Sequence, residues 1–224
     1  FKTKSVLILL ALFSLGFSER KATDPEINTP DEALNELIYG NNRFLDNAMI
    51  YTDYHEQIQK TKNGQHPHSF VLSCIDSRVP PEIILDQGIG HLFVARVAGN
   101  VEDDNILGSM EFATKVAGSK IIVVLGHTKC GAVKGACDHV EMGNLTALLS
   151  KIQPAVFDEK TEHENRSSSN SDFVEKVAVI NVKRTVQAII ERSPILKEMI
   201  EKGEIGIVGG THDITNGEVV FFEN

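Results

Sequence analysis

Basic residues are in short supply: Lys and Arg number 22 against 31 Asp and Glu, a formal charge of -9. No long basic patch offsets that deficit. Phosphate binding is driven by clustered Lys and Arg, so nucleic acid is excluded as an expected partner. Long apolar runs are also missing. The strongest, Val6 to Phe13, is short of the about 20 apolar residues that span a bilayer, and Glu19-Arg20-Lys21 stops it. Cysteine is scarce at three residues, an odd number that does not suit a disulfide framework. No internal repeat divides the chain, and 224 residues with 42% hydrophobic content are expected to form one domain around one core.

What stands at the start is a leader pattern. Lys2 and Lys4 precede the apolar run, and the small residues Ser14, Gly16 and Ser18 follow it. This reads as a secretory signal peptide cleaved after Ser18 or Ala22, with an uncleaved anchor as the alternative. Residues 1–22 are accordingly assigned to the signal and 23–224 to a single exported domain, periplasmic or secreted, with no stable membrane span after cleavage.

Two segments carry the chemistry: Cys74-Ile75-Asp76-Ser77-Arg78 and His127-Thr128-Lys129-Cys130. Cys74, Cys130 and His127 offer two thiolates and an imidazole, a set suited to a borderline-soft, redox-inert ion such as zinc and unsuited to magnesium or calcium. Iron and copper fit less well. Three protein ligands leave a position open, the mark of catalytic rather than structural zinc. A Cys74–Cys130 disulfide is the plain rival in an oxidising compartment. Another rival makes Cys74 a nucleophile with His127 as its base, which leaves Cys130 without a role. Asp76 and Arg78 alternate with Cys74, so continued strand geometry points all three side chains the same way, and Ser77 is expected to cap the turn. An anionic Asp76 beside a metal can orient a water, and such outer partners commonly matter as much as the ligands themselves. Cys137 reads as a small buried core residue.

Thr29-Pro30-Asp31-Glu32 forms a capping box that opens a helix expected to reach about Asn47, and a second helix is expected from Asp53 to Lys62, together an arm over 23–64. Strand and helix then alternate: strands at Ser69 to Cys74, His91 to Val97 and Lys120 to Leu125, helices at Pro80 to Gln87 and Asp103 to Val116. Gly126 is expected to end the third strand. The polar stretch 157–172 reads as a mobile loop. Helices over Phe173 to Arg192 and Pro194 to Lys202 precede two closing strands, Ile205 to Gly209 and Glu218 to Phe222, joined through Asn216-Gly217. The fold class is therefore α/β, a mostly parallel central sheet flanked by helices. N-terminal helices are expected to extend to a partner subunit, and the C-terminal strand to lie antiparallel at one edge. Both metal segments fall at carboxyl ends of expected parallel strands, where open α/β sheets place their ligands.

With these residues in view, Cys74-x-Asp76-Ser77-Arg78 and His127-x-x-Cys130-Gly131 resemble the β-class carbonic anhydrases. The likeness runs from about Thr29 to the C-terminus and includes Phe93-Val94-Ala95-Arg96-Val97-Ala98-Gly99-Asn100. It implies one zinc ion per chain held by Cys74, His127 and Cys130, a metal-bound hydroxide that attacks carbon dioxide, and an Asp76–Arg78 pair that orients it. Bicarbonate is then displaced by water. Two thiolates donate more charge than histidines, so activity is expected to rise into the alkaline range. The resemblance also implies substrate contacts from Gln65, Phe93, Phe112 and the backbone amide of Gly131. Core packing is the plain alternative for Phe93 and Phe112, and a loop position for Gln65. It implies a homodimer or tetramer with N-terminal helices embracing a neighbour. In some relatives the residue matching Asp76 leaves its arginine and takes the fourth metal position. The runner-up functions are a related zinc hydrolase of carbon disulfide or carbonyl sulfide, and a zinc-stabilised binding protein without activity, against which Asp76 and Arg78 argue. His66 and His68, beside Gln65, are candidates to pass protons to buffer.

Overall fold

The computed structural model describes residues 26–222; the assigned leader, 1–22, lies outside them. A five-stranded sheet in the order β2-β1-β3-β4-β5 runs through the middle of the molecule. β1 (Ser69–Ser73), β2 (Leu92–Arg96), β3 (Ile121–His127) and β4 (Gly206–His212) are parallel, and β5 (Val219–Phe221) pairs antiparallel with β4. β1 and β3 are buried along their whole length, and the β-branched run of β3 is the composition expected of a strand covered on both faces. From β1 the chain steps outward to β2, then returns across β1 to β3. The strand order therefore reverses between β1 and β3, and a crevice opens at their carboxyl ends.

β3 does not end before Gly126: Gly126 and His127 pair with Thr211 and His212 of β4. Gly126 is there for another reason. A Cβ on it would stand 2.6 Å from Val182 Cγ2, and one on Gly209 would stand 2.7 Å from Val182 Cγ1. Val182 belongs to the long helix α8, introduced below, and this branched side chain nests against two bare strand positions.

The helix α1 (Pro30–Leu45) opens with the expected capping box, Glu32 N donating to Thr29 Oγ1 at 3.2 Å and Thr29 N to Glu32 Oε2 at 3.0 Å. Its apolar face is docked on its own sheet. Ala33 and Leu37 are fully buried in a cluster with Val71, Val123 and Val208. Asn41 donates to the carbonyls of Ile84 and Gly217 and accepts from Val219 N, tying the helix to the β5 edge. The large apolar side chains the two helices still present outward are Tyr39 and Leu45 of α1 and, on α2 (Tyr54–Thr61), Tyr54 and Ile58.

α3 (Pro81–Ile84) follows β1, and α4 (Asp104–Glu111), continuing as a π turn over Phe112–Val116, follows β2. After β3 come α5 (Gly131–Cys137), α6 (Gly143–Ser150) and α7 (Gln153–Asp158), the last two not anticipated from sequence. α8 (Ser171–Arg192) and α9 (Pro194–Glu201) precede β4. The stretch 157–172 is largely irregular, as expected, yet densely cross-linked. The Arg166 guanidinium donates to the carbonyls of Val156, Glu159 and Glu162 and lies 4.7 Å over the Phe173 ring, and Ser168 bonds the Asp138 carboxylate. Among the described residues no helix is long and apolar enough to cross a membrane.

Candidate metal centre and active site

Cys74 is the first residue past β1 and His127 the last of β3, so the switch between these strands delivers both to one place. Cys130 must turn back toward them within three residues. Lys129 makes that possible by adopting a left-handed backbone, φ 57°, a strained choice for a residue with a side chain. Glu175 of α8 holds the turn, accepting from Lys129 N at 2.8 Å. Thr128 is tied to the β4–β5 connection: its amide donates to His212 O and its hydroxyl to Asp213.

The ligand atoms of Cys74, His127 and Cys130 all lie within 4.8 Å of one another, and all three residues are buried. The sulfurs stand 3.9 Å apart and both cysteines are free, so the disulfide rival is not what the structure holds. Two thiolates at about 2.3 Å from a shared tetrahedral ion lie about 3.8 Å apart, so the observed gap matches a zinc-sized centre. His127 Nδ1–H donates to Thr128 O at 2.9 Å, which leaves the lone pair on Nε2. That Nε2 is buried and makes no hydrogen bond. An orphaned buried acceptor facing two sulfurs is the donor set of a metal site.

Electrostatics follow the geometry. Contact with the Cys130 sulfur, opposed by burial and helped by His127 and the Gly99 amide, pulls the Cys74 thiol down to about 4. Cys130 moves the other way, raised by Cys74 and by burial. Burial opposes protonation of His127, but the Cys74 sulfur beside it raises its pKa.

Asp76 lies outside that compact group and pairs with Arg78. Arg78 Nε and amide donate to Oδ1 at 2.9 and 3.0 Å, and Nη2 to Oδ2 at 2.7 Å. These bonds, against some desolvation, hold the carboxyl well below its usual range. Asp76 is 18% and Arg78 54% exposed, so the pair sits at the mouth of the crevice.

Several contacts were invisible in the sequence. The turn after β2 brings Gly99 N to within 3.4 Å of Cys74 Sγ; Gly99 has φ 72°, and a Cβ there would meet Ile152 Cδ1 at 2.5 Å. Asn181, buried on the sheet side of α8, donates to Gly99 O at 2.8 Å. The only hint was a polar residue inside the apolar period of that helix. Arg96 reaches the carbonyls of both Cys74 and Asp76.

The expected substrate residues fall into two sets. Gly131, first in α5, is exposed beside Cys130 with nothing within 4 Å of an added Cβ. Gln65, Phe93 and Phe112 are not at the metal group of their own protomer. Phe93 pairs with Phe70, about 13 Å down β1 from Cys74. Phe93 and Phe112 meet edge to face at 6.1 Å in an outward groove of about 580 Å³ beside β2. Gln65 is exposed before β1. His66 and His68 also precede β1, at the opposite end of the sheet from Cys74, with His68 bonded to Ser69 and Gln87.

Residues 69–219 match the family model for carbonic anhydrase. Carbonic anhydrase 2 of Mycobacterium tuberculosis is 36% identical over 162 residues, covering 70% of this chain and 75% of that protein. The carbonic anhydrase of Mycolicibacterium smegmatis is 31% identical over 198 residues, covering 86% and 93%. Among solved structures, the β-carbonic anhydrase CafA of Aspergillus fumigatus superposes with a TM-score of 0.68 at 27% identity, over 85% of this chain and 90% of that one. With the parallel sheet, the Cys-His-Cys group at its switch point and these relatives together, the chain belongs to the carbonic anhydrase family, in its β class.

Proposed function

We propose that the chain catalyses the reversible hydration of carbon dioxide to bicarbonate and a proton, using one zinc ion held by Cys74, His127 and Cys130. The observation that carries the metal reading is the unpartnered His127 Nε2 aimed at two free sulfurs 3.9 Å apart. Zinc held there supplies a Lewis acid that brings the pKa of water toward about 7, a magnitude taken from carbonic anhydrases with three histidine ligands.

The chain's own residues do the rest. Arg78 keeps Asp76 ionised and fixes both carboxylate oxygens, so Asp76 accepts a hydrogen bond from the attacking water and turns its lone pair toward carbon. A carbon–oxygen bond forms as one C=O π pair of carbon dioxide moves onto oxygen, the water's proton leaves to buffer, and bicarbonate departs. Gly131, with no side chain in the way, offers its backbone amide to an oxygen of the bound anion. Gln65, Phe93 and Phe112 line the substrate space from a second copy of the chain, because within one protomer they face outward and away. A dimer or tetramer is therefore part of the proposal. So is export, which the leader pattern supports and a mature N-terminus after Ser18 or Ala22 would demonstrate.

Stopped-flow hydration by the purified protein, beside Asp76→Asn, tests the reaction. The wild type is expected to turn over carbon dioxide with about one zinc per chain, and the variant to lose about 10- to 100-fold in activity while keeping its metal. No hydration at alkaline pH overturns the proposal. Turnover confined to carbon disulfide or carbonyl sulfide reassigns the substrate, and full activity without metal restores the thiol mechanism.

A further inference from the structure

The strand ladder between β1 and β2 ends at the pair Ser73 and Arg96, with Val97 N donating to Ser73 O at 3.0 Å. Beyond that point the Cys74–Asp76 backbone has left the sheet. Yet it is the stretch that must be held most firmly, because Cys74 and Asp76 are both fixed through it. Arg96 takes over where the ladder stops: Nε donates to Cys74 O at 2.9 Å and Nη2 to Asp76 O at 2.5 Å. Among the described residues this guanidinium has no carboxylate partner, and its recorded hydrogen bonds go to these two carbonyls. The Asp76 carbonyl also accepts from Val79 N at 3.1 Å, closing the turn that carries Arg78.

We infer that Arg96 is a positioning residue, its planar fork setting the backbone of Cys74–Asp76 so that the Asp76 carboxylate stays on Arg78 and off the metal. The inference rests on the metal reading above. Asp76 is gripped at two ends, the carbonyl by Arg96 and Val79, the carboxylate by Arg78. Releasing the first grip lets the residue rotate about its own backbone. A rigid two-pronged donor spans two carbonyls at once, which a lysine ammonium on a flexible stem does not reproduce. Arg96 is itself exposed, so replacing it opens no cavity in the core.

The test compares wild type, Arg96→Gln and Arg96→Lys, each loaded with zinc for kinetics and with cobalt for visible absorption. Both variants are expected to keep about one metal per chain and a melting curve like wild type, and to lose about 10- to 100-fold in kcat with a smaller change in KM. Azide titration of the cobalt proteins is expected to show weaker anion binding in both variants, by tenfold or more, as Asp76 competes for the position the anion takes. Wild-type behaviour of Arg96→Lys overturns the inference, since charge rather than the fork would then suffice. So does a loss of activity matched by losses of metal and melting temperature, which would make Arg96 merely structural. A wild type that takes up neither zinc nor cobalt fails the metal reading instead, and is recognised before any variant is compared.

Discussion

At the scale of single residues, the cysteines and the histidine were legible because few chemistries want two thiolates and an imidazole at strand ends. Asp76 and Arg78 were legible as a pair, but not for the expected reason: the strand ends at Ser73, and a turn closed by Val79 N on Asp76 O, with the Arg78 amide on Asp76 Oδ1, brings them together instead of strand alternation. What else holds these residues was not legible. Arg96 stood inside the quoted Phe93–Asn100 stretch, but nothing in a strand-end arginine announces that it bonds carbonyls 20 and 22 residues earlier. Lys129 gave no sign of its left-handed backbone, a conformation sequence associates with glycine or asparagine. The buried Glu159 carries a prediction at this scale. Burial works against its charge, but hydrogen bonds from the hydroxyl and amide of Thr161 and the amide of Glu162 win, holding it down to about 2. An unfolded glutamate titrates near 4.3. The folded state therefore binds fewer protons between these values, and the stability from Glu159 is complete above about pH 4.3 and lost as pH falls toward 2. Melting temperatures measured across that window are expected to fall less steeply for Glu159→Gln than for wild type.

Among the elements, β3 was readable from its β-branched run, β1, β2 and β4 from short apolar runs, though β4 continues past the expected Gly209 to His212, and α1 from its capping box. The carboxyl end of β3 was not, because glycine reads as a terminator when no partner is in view. Gly126 marks instead a place where Val182 of α8 packs directly on the sheet backbone. Gly126→Ala is expected to cost about 1–3 kcal/mol by forcing Val182 aside, read from denaturant unfolding. Combining it with Val182→Ala should give less than the sum of the two single losses, because the second change vacates the space the first one needs. The polar stretch 157–172 holds contacts that its composition did not announce. Its composition suggested mobility, but composition does not show that Arg166 will find three carbonyls at once.

For the whole molecule, sequence gave the α/β class and the site's end of the sheet, but not how the arm divides its surfaces. Ala33 and Leu37 are buried in their own protomer, which an amphipathic pattern alone cannot distinguish from burial in a neighbour. The groove beside β2 bears on assembly. Phe112 is 53% exposed there, far from its own metal group. If it serves the neighbouring site, two crippled chains should help each other. Mixing Asp76→Asn protomers with Phe112→Asp protomers under subunit exchange is expected to regenerate one intact site per mixed dimer, and so to give more hydration than either variant alone. An activity equal to the average of the two separate variants would place Phe112 outside the reaction.

One element braces both halves of the metal group, the Cys74 half through Gly99. α8 lends Glu175 to the amide of Lys129, Asn181 to the carbonyl of Gly99, and Val182 to the hollow between Gly126 and Gly209. The loop that bears Cys130, and the turn after β2 whose Gly99 amide meets Cys74 Sγ, are thus fastened to a single helix. A small slide of that helix along its axis would disturb Cys74 and Cys130 together. Grip on the ion and seating of the helix are one mechanical property of the molecule.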